Sequence, residues 1–248
     1  MAIPSLVGHR GYPRHYPENT LIGIEAAITA GARFVEVDVQ ISRDRVPVLF
    51  HDHDLRRICG VEGKIHEYRY DELWALRAAE PEKFGDRFND VHIPRLAEFG
   101  HLLRRTPDVT AFIELKRSSL DRFGTKAMLS LVRRSLKPCL AQCVLISYSL
   151  EALLAARHAG WPEIGVVIDR WDERKQDLIS AIRPQYLLCD IEGLPSQTKL
   201  HINGAKLVVF EVADPHVALA LTARGVDLIE TFAAGEMIQE LSRLAALS

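Results

Sequence analysis

Short apolar runs, each closing on a polar or titratable residue, alternate along this chain with longer stretches of helical period. The strand-length runs are residues 6–9, 34–39, 110–115, 144–147, 165–169, 186–190, 206–212 and 226–231. Their near-continuous branched and aliphatic character suits strands covered on both faces, as in a parallel sheet. Between them, residues 20–30 place Leu21, Ile24, Ala27 and Ile28 on one stripe, with Gly31 where a helix would end. Further helices are expected over 96–105, 121–136, 150–158, 173–182, 195–202, 214–223 and 236–246. The 214–223 helix opens on Asp214-Pro215, a cap followed by a first-turn proline. Eight strands alternating with eight helices predict an α/β fold, a closed (β/α)8 barrel (TIM barrel). An open doubly wound sheet shares the alternation, but no G-x-G-x-x-G follows the first strand.

One segment breaks the rhythm. After a short strand at 46–50, residues 52–95 are charged and aromatic and do not alternate cleanly. This stretch is expected to be an insertion after the second barrel strand that caps the mouth, with Trp74, Phe84 and Phe88 packing it down. An elaborate loop without a role is the plainer reading. Length adds little against this picture: 248 residues match one barrel, so residues 1–248 are expected to form a single domain.

Composition narrows the function. Net charge is −2, which gives no overall basic character for nucleic acid. No apolar stretch is long enough to span a bilayer, and residues 1–6 do not resemble a secretory signal. Cys59, Cys139, Cys143 and Cys189 form no C-x-x-C pair and read as reduced thiols of a cytoplasmic protein.

The candidate chemistry sits where the strands end. Glu36 and Asp38 are two apart on one strand and so project to one side; Glu114 and Lys116 do the same on the next barrel strand. Barrel enzymes build their sites at the C-terminal ends of strands. Glu36, Asp38 and Glu114 can therefore converge on one hard divalent cation, Mg²⁺ or Ca²⁺. Separate salt bridges, Glu36 with Arg10 and Glu114 with Lys116, are the plainer reading. His9 and His51 close two different strands at the same pole and are candidates for an acid–base pair. Arg10 offers a planar fork and Lys116 a point charge; with a cation they suit an anionic, phosphate-like group.

The ordered set His9-Arg10-Gly11, Glu18-Asn19-Thr20, Glu36-x-Asp38, His51-Asp52 and Glu114-x-Lys116 resembles the glycerophosphodiester phosphodiesterase family over nearly the whole chain, most clearly from residue 6 to about 56. The resemblance implies a (β/α)8 barrel with a small insertion after the second strand. It implies metal ligands at Glu36, Asp38 and Glu114, and His9 and His51 as acid and base. Arg10 and Lys116 would hold the phosphate. Glu18 and Asn19 would shape the rim, although Asn19 can equally cap the helix that begins near Thr20. Tyr148, in Ser147-Tyr148, would line the pocket. The implied reaction is metal-dependent hydrolysis of glycerophosphodiesters to sn-glycerol 3-phosphate and an alcohol, through a cyclic phosphate. The implied partner is a small-molecule diester.

The C-terminal third departs from the family pattern. Phe210-Glu211-Val212-Ala213 stands where the family has Trp-Thr-Val-Asn, and Thr231-Phe232 where it has Thr-Asp. Phe210 keeps the aromatic. Glu211 is an added carboxylate, either a contact to the alcohol's head group or a salt-bridged residue facing a helix. Two other functions remain at this point: a phosphodiesterase of lysophospholipid-like diesters, and a catalytically silent phosphate-binding barrel.

Overall fold

In the computed structural model, which describes residues 3–247, a nine-stranded sheet closes on itself through pairing of its first two strands. The strands are β1 (Ser5–Gly8), β2 (Phe34–Ile41), β3 (Pro47–Leu49), β4 (Thr110–Leu115), β5 (Cys143–Ser147), β6 (Glu163–Ile168), β7 (Tyr186–Asp190), β8 (Lys206–Phe210) and β9 (Leu228–Thr231). All neighbours pair in parallel except β2 and β3, which form an antiparallel pair on the barrel's flank. Eight parallel strands with helices between them make the expected (β/α)8 barrel.

The helices are α1 (Leu21–Thr29), α2 (Arg56–Cys59), α3 (Tyr70–Ala75), α4 (Pro81–Phe84), α5 (Leu96–Arg105), α6 (Arg117–Phe123), α7 (Thr125–Leu136), α8 (Leu150–His158), α9 (Asp177–Ile182), α10 (Pro215–Arg224) and α11 (Ala234–Ala246). Two apolar layers follow from strand alternation. Val35, Val37 and Val39 join Ile24, Phe99 and Val132 between barrel and helices. Val7, Phe112, Ile146, Val167, Leu188 and Val208 fill the barrel interior. Each such fully buried aliphatic or aromatic side chain stabilises the fold by roughly 1.5–3 kcal/mol.

Three expectations about helices are corrected. The helix at 121–136 is two, because Gly124 takes φ 80° and ψ 148° and breaks it. At 173–182 only Asp177–Ile182 is α-helical, preceded by a 3₁₀ turn at Trp171–Lys175. No helix forms at 195–202. Its two apolar residues, Leu200 and Ile202, are two apart and cannot share a helical stripe. The segment is pinned instead by its partners: Leu200 N–H donates to Arg224 O at 2.7 Å, and the Arg224 side chain donates to the carbonyls of Pro195 and Thr198.

Residues 52–95 fold over their own small core, in which Leu55, Ile58, Ile65, Leu73 and Ile93 surround Val48 and Phe50 of the β3 segment. Phe88 is buried beside Phe84 and Tyr16. Trp74 does not pack the insertion down: it is 52% exposed and stacks on His92 instead.

Candidate active site

The strand ends bring the titratable residues together at one mouth. β1 leads directly into His9 and Arg10. Arg10 adopts φ 54°, a left-handed conformation that is costly for a residue with a Cβ. It is held there by two backbone bonds: its N–H donates to Glu36 Oε2 at 3.1 Å, and its carbonyl accepts from Asn19 N–H at 3.0 Å. Gly11 follows at φ 92°, where a Cβ would lie 2.8 Å from the backbone of Gly23 and Ile24 in α1. Only glycine lets this loop lie so close to the helix.

Asn19 does not cap α1; Thr20 does, its hydroxyl accepting from Gly23 N–H at 3.3 Å. Asn19, also left-handed at φ 54°, turns its amide to the site. It donates to Asp38 Oδ2 at 2.8 Å and accepts from Asp38 N–H at 3.0 Å. The β2–β4 register sets Asp38 beside Glu114. Lys116 Nζ bridges them, 3.1 Å from Asp38 and 3.0 Å from Glu114. The Arg10 guanidinium lies 3.3 Å from Asp38 and 3.2 Å from Glu18. Of the two salt bridges in the plainer reading, Glu36 meets the Arg10 backbone N–H in place of its side chain, while the Glu114–Lys116 pair is present.

His51 follows β3. Gln40 donates to the carbonyls of Phe50, His51 and Asp52, which fixes the turn that carries the imidazole. His51 Nδ1 lies 2.9 Å from Asp52 Oδ1, and Arg57 of α2 holds Asp52 at 2.7 Å and Glu18 at 2.7 Å. Glu18 N–H donates to Glu80 Oε1 at 2.6 Å, so the insertion and the 10–19 loop are joined at the rim.

His9, Arg10, Glu36, His51, Glu114 and Lys116 line one cavity of about 240 Å³. Tyr148, Phe210 and Glu211 line its wall. Glu18, Asn19 and Asp38 stand behind it as supports. Glu211 takes φ 66°, is exposed, and has no ion-pair partner among the described residues. That settles its placement: it faces the pocket and is not salt-bridged to a helix.

Two residues of β9 and its end complete the site: Glu230, which was not foreseen as part of it, and Phe232, singled out in the sequence as a departure from the family pattern. Glu230, 3% exposed, lines the same cavity with Oε1 3.3 Å from His9 Nε2. Phe232 stacks on the His9 ring, 4.4 Å between centroids and 14° between planes. The signal for Glu230 was in the sequence: it is a carboxylate inside the apolar run Leu228-Ile229-Glu230-Thr231, as Glu36 is inside its own. Gln40, Arg57 and Glu80 carried no comparable signal.

Four buried or nearly buried carboxylates, Glu36, Asp38, Glu114 and Glu230, face two cationic side chains, Arg10 and Lys116. Burial raises Glu36 well above the ordinary carboxylate range, and neighbouring Asp38 and Glu230 push it further. Burial and Asp38 raise Glu114. Burial, with Glu114, pushes Glu230 up to about 8. Asp38 goes the other way: burial acts to raise it, but Lys116 and Arg10 outweigh that and hold it well below the usual range. His9 is lowered, first by burial and then by Arg10. The site thus holds more carboxyl groups than its own cations can pair, and burial drives the surplus toward the protonated form. Oxygens of Glu36, Asp38 and Glu114 lie within 4.8 Å of one another, and Glu36 Oε1 is buried without a donor. Such an all-oxygen, charge-deficient set fits a hard divalent cation.

Fold and site together define a (β/α)8 barrel that gathers two histidines, several carboxyl groups, an arginine and a lysine at the C-terminal mouth of its strands. The family model described as Glycerophosphoryl diester phosphodiesterase matches residues 9–231, and the chain belongs to that family. It is 35% identical over 113 residues to a glycerophosphodiester phosphodiesterase of Bacillus altitudinis, covering 46% of this chain and 45% of that one. It is 34% identical over 94 residues to a human glycerophosphodiester phosphodiesterase, covering 38% of this chain and 28% of that one. The aligned stretch thus spans less than half the length of these relatives. A phosphodiesterase of Oleispira antarctica, solved with the product sn-glycerol-3-phosphate, superposes with a TM-score of 0.81 at 26% identity, covering 97% of each chain. A glycerophosphodiester phosphodiesterase of Agrobacterium tumefaciens superposes at 0.75 with 22% identity, over 96% of this chain and 100% of that one, a likeness of fold.

Proposed function

We propose that this protein hydrolyses glycerophosphodiesters to sn-glycerol 3-phosphate and an alcohol. One observation carries the reading: His9 and His51, from separate strands, share one cavity with Arg10, Lys116, Glu36 and Glu114, and Asp38 stands directly behind the two carboxylates. The product bound to the Oleispira antarctica phosphodiesterase supports the substrate class.

Arg10 and Lys116 bind the phosphodiester oxygens and offset charge that grows in the transition state. A Mg²⁺ or Ca²⁺ ion held by Glu36, Asp38 and Glu114 would polarise a phosphoryl oxygen and lower the pKa of a neighbouring hydroxyl. One of His9 and His51 removes the proton of the glycerol 2-hydroxyl as that oxygen attacks phosphorus. The other gives a proton to the departing alkoxide, releasing the alcohol. Water then opens the cyclic phosphate with the two histidines in exchanged roles, so both return to their starting state. Asp52 fixes the His51 ring through Nδ1, and Phe232 fixes the His9 ring by stacking. Among the described residues no helix is long and apolar enough to cross a membrane. The four free thiols suit a reducing compartment, so we place the activity in the cytoplasm.

The test is release of sn-glycerol 3-phosphate from a panel of deacylated phospholipids, with Mg²⁺, with Ca²⁺ and after EDTA. Turnover that needs the cation is expected. Full turnover by a rigorously cation-free preparation would remove the ligand assignment, and no turnover of any glycerophosphodiester would remove the activity.

A further inference from the structure

Glu230 differs from every other carboxylate of the mouth. Asp38 is held by Arg10, Lys116 and Asn19, Glu114 by Lys116, and Glu36 by the Arg10 N–H. The Glu230 side chain takes no hydrogen bond from a described residue, although its backbone carbonyl accepts from Val212 N–H at 3.2 Å. Its near neighbour is His9 Nε2 at 3.3 Å, and its Oε2 is buried with no donor at all. A buried acceptor left unpaired loses its hydration without replacement, and in folded proteins such groups are rare and call for an explanation. Glu230 lines the same cavity as Arg10 and His51, so a donor can reach it only as part of what that cavity binds.

Resting on the activity proposed above, we propose that Glu230 accepts a hydrogen bond from the free primary hydroxyl of the substrate's glycerol. The phosphodiester lies with Arg10 and Lys116, and the 2-hydroxyl is the attacking group. The terminal hydroxyl is the donor that remains, and the unpartnered Oε2 of Glu230, a lining residue of the cavity, is there to take it. The consequence is a choice of substrate. A lysophospholipid acylated at that oxygen has no hydrogen to donate and would bury an ester against an unpaired carboxylate. Glu230 thus selects free glycerophosphodiesters over their acylated counterparts.

The test compares two choline phosphodiesters on the Mg²⁺-loaded protein: glycerophosphocholine, and its propane-1,2-diol counterpart, which keeps the 2-hydroxyl and lacks the terminal one. Wild type is expected to favour the glycerol diester in kcat/KM by about 10²-fold or more, as sites built to bond a hydroxyl do. Glu230→Leu should bring the two values together, and Glu230→Gln, which keeps an acceptor, should retain most of the preference. The inference is overturned if the preference survives in Glu230→Leu. It is also overturned if both diesters lose the same factor, which would make Glu230 a support for His9 alone. Loss of a second bound cation per chain in Glu230→Leu, measured by metal analysis, would overturn it in favour of a metal site on His9, Glu36 and Glu230. Turnover with an unchanged preference sinks only this inference, whereas turnover of neither diester by wild type sinks the activity as well.

Discussion

At the scale of single residues the site is a set of charges that constrain one another. His9 and His51 touch different neighbours, a Phe232 ring and an Asp52 carboxylate, yet the proposed reaction draws both into one proton-transfer cycle. His9→Ala and His51→Ala should each lower kcat by roughly 10²–10⁴-fold, and the double variant should lose far less than the product. Steady-state kinetics on glycerophosphocholine, with circular dichroism to show retained fold, checks this; a near wild-type kcat in either variant removes that histidine from the cycle. Asp52 yields a pH prediction. Burial acts to raise its pKa, but hydrogen bonds from His51 and Arg57 outweigh this and hold it well below the usual range. A carboxyl depressed by folding stabilises fully above its unfolded value, about 3.9, and that stability is lost as pH falls through the folded value. Urea unfolding across the acid range should therefore show wild type losing stability below about pH 4, with Asp52→Asn flatter there and weaker at pH 7 by roughly 1–3 kcal/mol. Equal acid slopes would contradict it. Glu211 faces the pocket without an ion-pair partner among the described residues, so it should draw a cationic head group. Glu211→Gln should lower kcat/KM for glycerophosphocholine relative to glycerophosphoinositol by roughly 2–5-fold, an effect that shrinks with added salt. An unchanged ratio would reduce Glu211 to a solvated side chain.

At the scale of elements, the β1–α1 loop and the insertion act as one unit. Arg57 of α2 is the tie, reaching Asp52 on one side and Glu18 on the other. Glu18 in turn holds Arg10. Arg57→Met should therefore act at a distance, loosening His51 and Arg10 together and lowering kcat by roughly 10–100-fold, as loss of supporting contacts does. The Glu36, Asp38 and Glu114 set does not touch Arg57, so cation affinity measured by titration calorimetry should change little. A kcat equal to wild type would show that the rim network is ornamental to catalysis.

For the whole molecule the governing fact is a surplus of buried carboxyl groups, beyond what Arg10 and Lys116 pair, closed inside a barrel. Buried like charges destabilise the folded state until a cation joins them. Mg²⁺ or Ca²⁺ should raise the melting temperature of the EDTA-treated protein with a saturating dependence on concentration. The triple variant Glu36→Gln, Asp38→Asn, Glu114→Gln should lose that dependence. A melting temperature indifferent to both ions would remove the cation from the site.

The barrel was legible because strand and helix periods are local properties of the chain. Branched apolar runs, a Pro after an Asp cap and glycines after helices state their conformations within a few residues. Glu36 and Asp38 were legible for the same reason, two carboxylates two residues apart on an apolar strand standing on one face, as were Glu114 and Lys116 on theirs. What the chain leaves open is where two distant segments meet. Asn19 could cap a helix or shape the rim, and only the approach of β2 to the β1–α1 loop set it against Asp38. The 195–202 segment lost its helix to Arg224, which lies far along the chain. Arg57 and Glu80 became parts of the rim through the way the insertion docks, and Trp74 was left outside its core. Glu230 was written among Leu228, Ile229 and Thr231, but its partnership with His9 arises from closure of β9 onto β1. Local propensity depends on near neighbours, whereas pairing of buried charges depends on the closed barrel, and this protein's chemistry lies in the second.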